Sequence, residues 1–102
     1  MMKAAKKLVH EMVQGKPYEY YPLGEYIVAA PGICGGRPTF KYTRIEVRVV
    51  LNLLASGESL EQLVKNFQGR VPRKAVEETL RLAAALLRRE AETAADRFST
   101  TP

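Results

Sequence analysis

The stretch that decides the fold is residues 36–45, Gly-Arg-Pro-Thr-Phe-Lys-Tyr-Thr-Arg-Ile, because the spacing of apolar residues changes within it. Residues 17–30 are rich in aromatic and β-branched side chains, and Pro22 and Gly24 divide them into two short predicted strands. After Ile45, apolar residues recur at helical spacing. The sequence therefore predicts a single α+β domain, mostly α. Its predicted parts are a basic helix or arm (1–16), strands and turns (17–44), a three-helix unit (45–91) and a tail (92–102).

Residues 1–16 are predicted to form a basic helix or arm. Ala5, Leu8, Val9 and Met12 share one helical face, and Gly15 ends the segment. The segment carries +3 of the chain's net charge of +5. A basic arm is a common way to reach nucleic-acid phosphates, although solubility alone would also account for the charge. The candidate phosphate contacts in this arm are Lys3, Lys6 and Lys7.

The approach to the first helix is predicted to be extended. Residues 39–43 can form a strand with Phe40 and Tyr42 on the same face. Thr43 is then a candidate N-cap of the first helix, because its hydroxyl can accept a bond from a backbone N–H. Gly57 is suited to end that helix.

Two further helices follow in the predicted three-helix unit. Ser59 and Gln62 match a capping box, in which each side chain satisfies one N–H at the start of the helix. Gly69 closes this second helix. Pro72 fits the first position of the third helix, where its missing N–H costs nothing. The third helix is expected to reach Arg89 or beyond.

The third helix carries more apolar residues than one buried stripe uses, because residues 82–87 are all apolar. Either this helix is buried on most sides within the monomer, or it forms the shared face of a homodimer. The dimer is favoured because so short a chain has few other elements to cover the face. The predicted interface residues are Leu82, Ala83, Leu86 and Leu87.

Three short helices with glycine-marked turns have the dimensions of a helix-turn-helix, with the helix from Pro72 as the recognition helix. Glu77 and Glu78 count against DNA binding, because carboxylates in the groove repel phosphates. The alternative is a packing unit with a solvated surface of mixed charge. The candidate DNA contacts in this region are Arg70, Arg73, Lys74 and Arg81.

The sequence gives little indication of a catalytic role, a metal site or a membrane-spanning segment. His10 and Cys34 are the only residues of their types, so one chain has too few ordinary zinc ligands and cannot form an internal disulfide. A buried, inert thiol is favoured over a nucleophile for Cys34. No apolar stretch approaches the roughly 18 residues of a membrane span. We expect a cytoplasmic protein that is not an enzyme, with no metal, cofactor or membrane association.

Residues 31–47, Pro-Gly-Ile-Cys-Gly-Gly-Arg-Pro-Thr-Phe-Lys-Tyr-Thr-Arg-Ile-Glu-Val, resemble domain-of-unknown-function family 433, whose members resemble VapB-type antitoxins. The resemblance continues to about Leu87. Tyr42 stands where the commonest family pattern has glycine, and because tyrosine does not easily adopt positive φ, we expect continuous strand there. The residues that match the family signature are Gly36, Arg37, Pro38, Thr43 and Arg44.

The resemblance implies a helix-turn-helix-like fold, an antitoxin or regulatory role, a PIN-like toxin as partner, and no catalytic residues. The leading hypothesis is therefore an antitoxin that masks a toxin ribonuclease and binds its own operator DNA as a homodimer. The alternative is a protein-interaction module without DNA contact. A structural role is also favoured for Arg44, which can pair with a carboxylate across a fold or dimer seam.

Overall fold

The computed structural model describes residues 7–99, which form four strands followed by three helices. The strands are β1 (Val9–Val13), β2 (Lys16–Pro22), β3 (Ile27–Ala29) and β4 (Thr39–Phe40). The helices are α1 (Val47–Ala55), α2 (Leu60–Asn66) and α3 (Arg73–Ser99). The predicted α+β class is confirmed, with strands first and helices after.

The strands form one antiparallel sheet in the order β1-β2-β3-β4. β2 ends at Pro22, which lies opposite Val28 of β3. Ile27 of β3 in turn pairs with Phe40 of β4. Proline and glycine therefore divide residues 17–30 into two strands, as predicted.

The predicted N-terminal helix is wrong for residues 9–13, which form β1. Gln14 and Gly15 adopt φ of 52° and 76°, so a two-residue turn joins β1 to β2 and pairs Val13 with Lys16. Gly15 thus makes a hairpin turn and not a helix end. A few apolar residues at spacings of three and four do not distinguish a helix from a strand whose alternate residues are half-buried.

β4 ends at Phe40, and the chain then turns instead of continuing as strand to residue 43. Tyr42 adopts φ of 67°, so the expectation that tyrosine avoids positive φ here is wrong. The Tyr42 N–H donates to Tyr18 Oη at 2.9 Å. Thr43 Oγ1 donates to the Phe40 carbonyl at 2.8 Å. These bonds offset the left-handed conformation, which costs a non-glycine residue about 1–2 kcal/mol.

The start of α1 differs from the prediction. The N-cap is Glu46 and not Thr43, and the Glu46 side chain makes no capping bond. Thr43 Oγ1 accepts the Ile45 N–H at 3.0 Å, so this hydroxyl closes the turn before the helix. Val47 donates its N–H to the Pro38 carbonyl at 2.9 Å, which ties the helix to the segment that enters β4.

The starts of α2 and α3 partly match the capping residues predicted from the sequence. Ser59 caps α2, accepting the Gln62 N–H at 3.0 Å. The Gln62 side chain donates to Asn66 Oδ1 at 3.1 Å, so the second half of the predicted capping box does not form. Pro72 lies directly before α3, which begins at Arg73. Its missing N–H is harmless at that position too.

The core lies between the sheet and the first turns of α3. Its fully buried residues from the helical region include Val50, Leu63, Val71 and Val76. The remaining members of this cluster are Ile27, Phe40 and Ala75. A second cluster of Tyr18, Tyr20, Val28 and Ala30 lies under the hairpin. No helix within residues 7–99 is long and apolar enough to cross a membrane.

α3 extends well beyond this core. The helix has 27 residues, a length of about 40 Å at 1.5 Å per residue. Every residue from Leu86 to Arg97 is exposed except Ala94, so the C-terminal half projects from the body. The helix continues to Ser99 through most of the predicted tail 92–102, because nothing between its ends interrupts it: no proline or glycine occurs there.

Candidate nucleic-acid interface

The turn between α2 and α3 places Arg70 beside the start of α3. Gln68 and Gly69 adopt φ of 54° and 79° and reverse the chain. The Arg70 N–H donates to the Phe67 carbonyl at 2.9 Å. Val71 is fully buried, which anchors the chain in the core while the Arg70 side chain stays exposed. Helix, glycine-containing turn and helix follow in the order that a helix-turn-helix also has.

Arg73 is held by two carboxylates. Its Nη1 lies 3.1 Å from Glu61 Oε2, and its Nε lies 3.3 Å from Glu77 Oε2. The Glu61 carboxylate is the main cause that raises the pKa of Arg73. The pKa of Glu61 is lowered by its own backbone N–H and then by Arg73. All three side chains are accessible to solvent, so these ion pairs contribute little to stability. They nevertheless keep the Arg73 guanidinium paired with carboxylates.

The other predicted DNA contacts of this region remain unengaged. Arg70, Lys74 and Arg81 are exposed, and none of their side chains makes a hydrogen bond or ion pair with any residue that the structure describes. Lys74 and Arg81 lie seven residues apart, which places them on one helix face about 10 Å from each other. Lys7 is also exposed. Lys3 and Lys6 lie outside the described residues.

Glu78 does not face outward with these cations. Its carboxylate accepts the N–H of Glu25 at 2.7 Å and the N–H of Tyr26 at 2.8 Å. The same carboxylate lies against Gly24, where it fills the space that a Cβ would need. Glu78 therefore links α3 to the β2–β3 loop and is not a groove residue, which corrects the sequence interpretation of this carboxylate.

A cluster of aromatic and charged side chains joins the hairpin to the turn after β4, and sequence analysis did not predict it. Glu11 accepts from Tyr20 Oη at 2.6 Å and from Tyr42 Oη at 2.8 Å. The Tyr18 ring lies 5.0 Å from the Tyr20 ring and 5.3 Å from the Tyr42 ring, centre to centre. Alternation of Tyr18 and Tyr20 on one strand face is the only sequence signal that could have suggested this cluster.

The charged groups of this cluster are stabilised by the tyrosines around them. The hydroxyl group of Tyr20, followed by that of Tyr42, lowers the pKa of Glu11. Lys41 Nζ lies 5.0 Å from the Tyr20 ring centre and 5.1 Å from that of Tyr42, within cation–π range. The Tyr20 hydroxyl group is the main cause that raises the pKa of Lys41. The cluster therefore stabilises the positive-φ conformation of Tyr42.

The residues of the family signature organise the entry into α1. Arg37 binds Glu46 through two bonds, Nε to Oε1 at 2.9 Å and Nη2 to Oε2 at 3.3 Å. Arg48 Nε also reaches Glu46 Oε1 at 2.9 Å. The hydrogen bond from Arg37 is the main cause that lowers the pKa of Glu46. Gly36 adopts φ of 83° in the turn before Arg37, which explains glycine at this position.

Arg44 does not pair with a carboxylate within the described part of the fold, and pairing across a dimer seam stays a prediction. Its side chain is exposed and makes no ion pair among residues 7–99. Arg37 takes that role because it extends across the turn to Glu46. The Arg44 carbonyl accepts a bond from Cys34 Sγ at 3.5 Å, and this thiol is half-buried, not buried as expected.

A shallow cleft of about 340 Å³ lies between the β2–β3 loop, the turn after β4 and the start of α3. Its charged lining residues are Arg70, Lys41 and Glu25. The cleft is small for a ligand site. It therefore adds a shallow surface of mixed charge beside Arg70 and does not form an enclosed site.

His10 and the acidic side chains do not form a metal-binding group among the described residues. His10 lies on β1 and not on a helix, with its Nδ1 2.8 Å from Glu19 Oε2. Within the part of the chain that the structure describes, no three His, Cys, Asp or Glu side chains lie together as a metal site would require.

The predicted dimer residues divide between two environments. Leu82 is partly buried against the core, and Ala83 is half-buried. Leu86 and Leu87 are 54% and 70% exposed. Only the last two lie on the part of α3 that projects from the body, whereas the body partly covers Leu82 and Ala83.

Comparison with known proteins places the chain in a family. The model of a family described as "Protein of unknown function (DUF433)" matches residues 27–83, more than half of the chain. The chain belongs to this family. No curated protein and no solved structure matches it.

The DUF433 match covers a defined part of the fold. It begins with β3 and ends within α3, so it includes the core cluster, the Arg37–Glu46 pair and the turn that carries Arg70. It leaves out the β1–β2 hairpin with Glu11 and the projecting half of α3. These two parts lie outside the matched region.

Proposed function

We propose that this protein is an antitoxin that binds its operator DNA through Arg70, Lys74 and Arg81 and also binds a PIN-like toxin. The observation that supports DNA contact is that these three cations are exposed and unpaired within residues 7–99. DNA binding releases counterions from phosphates, so unpaired cations on one surface contribute affinity directly. A cation that is already paired, such as Arg73, would have to break its ion pair before it could bind a phosphate.

The two carboxylates that count against DNA binding are both engaged. Glu78 faces the β2–β3 loop, where it accepts two backbone N–H groups. Glu77 binds Arg73. Arg73 is itself shared with Glu61, and we therefore leave it out of the proposed contacts. The remaining basic surface consists of Arg70 in the turn and Lys74 and Arg81 on one face of α3.

The proposed docking geometry is that of a helix-turn-helix. In this arrangement the N-terminal turns of α3 enter the major groove, while α2 crosses the backbone. Arg70 and Lys74 then lie at the groove edge, where phosphates and guanine edges are both within reach. Lys7, together with Lys3 and Lys6, would add phosphate contacts from the arm.

The toxin-binding part of the proposal rests on membership in the DUF433 family and its resemblance to VapB-type antitoxins. By this proposal the protein masks a toxin ribonuclease encoded by a neighbouring gene. Co-expression of the two and capture of the complex tests this part separately. A neighbour that inhibits growth when expressed alone, and does not when co-expressed with this chain, is the expected result.

A protein-interaction module without DNA contact is the second candidate. The observation that favours it is the group of Arg73, Glu61 and Glu77, which places a net negative charge beside the proposed DNA contacts. Projection of α3 with exposed Leu86 and Leu87 also suits a protein partner. This candidate predicts normal capture of the neighbouring gene product and no retention on DNA.

The deciding experiment is a fluorescence-anisotropy titration against the chain's own upstream DNA and a scrambled duplex at two salt concentrations. The proposal predicts selective binding that weakens as salt rises. Replacing Arg70 and Lys74 together by alanine should weaken binding. It should also reduce the slope of log K against log salt by about 2, because each phosphate that is no longer neutralised lowers the slope by about 0.9.

The matched control replaces Lys16 and Arg44 by alanine. Both are exposed, and neither is paired with any residue between 7 and 99, so the change in net charge is the same. Lys16 lies in the β1–β2 hairpin, and Arg44 lies between β4 and α1. Equal loss of binding in both double variants would show a general charge effect and exclude the proposed site.

A further inference from the structure

One face of α3 carries an apolar stripe that stays largely exposed within residues 7–99. The stripe consists of Leu80, Ala84, Leu87, Ala91 and Ala94, whose spacings alternate between four and three residues. This alternation is the heptad pattern by which one helix packs against another. Leu80 and Leu87 are 44% and 70% exposed. Exposed leucines at heptad spacing indicate a helix partner.

The stripe lies at one edge of the face that α3 turns toward its own core. At 100° per residue, Leu87 lies about 20° around the helix from the buried Val76 but about 140° from Leu82, which packs against the core. Leu86 lies near the middle of the core-facing side, one turn beyond the body. The stripe therefore extends one edge of the core-facing side past the body, where the described residues leave it largely exposed, and neither Leu82 nor Leu86 belongs to it.

The charges flanking the stripe identify the occupant. Residues 81–89 carry three arginines and no acidic residue, a charge of +3. Residues 90–97 carry three acidic residues and one arginine, a charge of −2. Two copies of α3 in opposite directions bring the positive segment of one against the negative segment of the other. Two parallel copies bring like charges together.

We propose that a second copy of this chain covers the stripe, with the two α3 helices packed in antiparallel orientation. Alanine at three of the five stripe positions allows the helix axes to approach closely, and Leu80 and Leu87 supply the larger apolar contacts. Antiparallel packing also places the positive end of each helix dipole beside the negative end of the other. The pairing requires no DNA and no toxin, so it stands independently of the proposed function.

Size-exclusion chromatography with light scattering tests the interface. Wild type should have the mass of a dimer, and Leu87→Glu should have the mass of a monomer while circular dichroism shows an unchanged fold. The matched control is Leu86→Glu, an equally drastic change at an adjacent exposed leucine outside the stripe, and it should remain dimeric. A monomeric wild type, or equal behaviour of the two variants, would overturn the proposal.

Charge reversal tests the orientation. The variant Arg88→Glu with Arg89→Glu should dissociate at a higher protein concentration than wild type, because an antiparallel pair would then place negative charge against negative charge. The variant Glu90→Lys with Glu92→Lys should weaken likewise, and an equimolar mixture of the two should form a heterodimer. Unweakened homodimers of both variants would exclude antiparallel packing, since parallel packing already pairs like charges.

Discussion

The carboxylate of Glu78 occupies the space beside Gly24 that the Cβ of any other residue would need. Its carboxyl carbon lies 2.6 Å from the ideal Cβ position, closer than unbonded carbon atoms approach. The same carboxylate accepts the N–H groups of Glu25 and Tyr26. A glycine in the β2–β3 loop thus permits a contact that fixes the loop on α3.

Replacing Gly24 by alanine should destabilise the fold. The new methyl group would displace the Glu78 carboxylate and leave the N–H groups of Glu25 and Tyr26 without their acceptor. An unsatisfied N–H costs about 1–3 kcal/mol when water cannot replace the bond, and partial exposure of this loop places the expected loss near the lower end. Urea unfolding followed by circular dichroism measures the change.

The control for this substitution is Gly32→Ala, because no atom lies within 4 Å of a Cβ built there. It should change the free energy of unfolding by less than about 0.5 kcal/mol. A double-mutant cycle of Gly24→Ala with Glu78→Ala should be strongly non-additive, since both changes remove the same interaction. Additive effects would show that Gly24 is required for another reason.

Releasing Arg73 from its carboxylates should strengthen DNA binding if the proposed interface is correct. The double variant Glu61→Gln with Glu77→Gln removes both ion-pair partners of Arg73 beside the proposed contacts. Affinity should rise, and the slope of log K against log salt should steepen by up to about 0.9 for one further neutralised phosphate. Fluorescence anisotropy against the upstream DNA at two salt concentrations measures both quantities.

The same charge change elsewhere on α3 separates a local effect from a general one. Glu90→Gln with Glu92→Gln removes two carboxylates about 20 Å further along the helix from Glu77. This control should not strengthen binding, because both carboxylates lie far from the proposed DNA contacts and their loss weakens the proposed antiparallel dimer. An equal gain from both variants would place the DNA on another surface.

The helical region can be predicted from the sequence because its signals are local. Ser59 caps α2, and Gly69 reverses the chain with positive φ, as the residue types require. The β1–β2 hairpin escapes prediction because Gln14-Gly15 lacks the Asn-Gly or Asp-Gly pair that usually marks such a turn. Without that turn signal, five residues of strand alternation are too few to exclude a helix.

The pairings within the candidate site could not be predicted from sequence. Glu78 binds backbone 52 and 53 residues away, and Tyr42 shares Glu11 with Tyr20 across 31 residues. Spacing along one helix identifies which side chains share a face, but it does not identify the loop that packs on that face. Residue type therefore suggests the candidate cations, whereas only the fold separates the engaged Arg73 from Lys74.

The half-formed capping box of α2 predicts unequal effects for its two members. Ser59→Ala should reduce stability by about 1 kcal/mol, because the Gln62 N–H loses its acceptor. Gln62→Ala should be nearly neutral, since the Gln62 side chain binds Asn66 on the helix surface and not Ser59. Thermal unfolding measures both, and equal losses would show that the reciprocal bond forms in solution.

The bonds to Glu11 predict a specific dependence of stability on pH. The hydroxyl groups of Tyr20 and Tyr42 hold the pKa of Glu11 below its ordinary value, so the stabilisation is present above the unfolded-state pKa and is lost as pH falls through the folded-state pKa. The difference in unfolding free energy between wild type and Glu11→Gln should therefore shrink from about pH 7 to about pH 3, the region where carboxyl groups protonate. Tyr42→Phe removes one of the two bonds and should show a smaller change in the same direction. A difference that stays constant over this range in urea titrations would mean that the carboxylate charge does not stabilise the cluster.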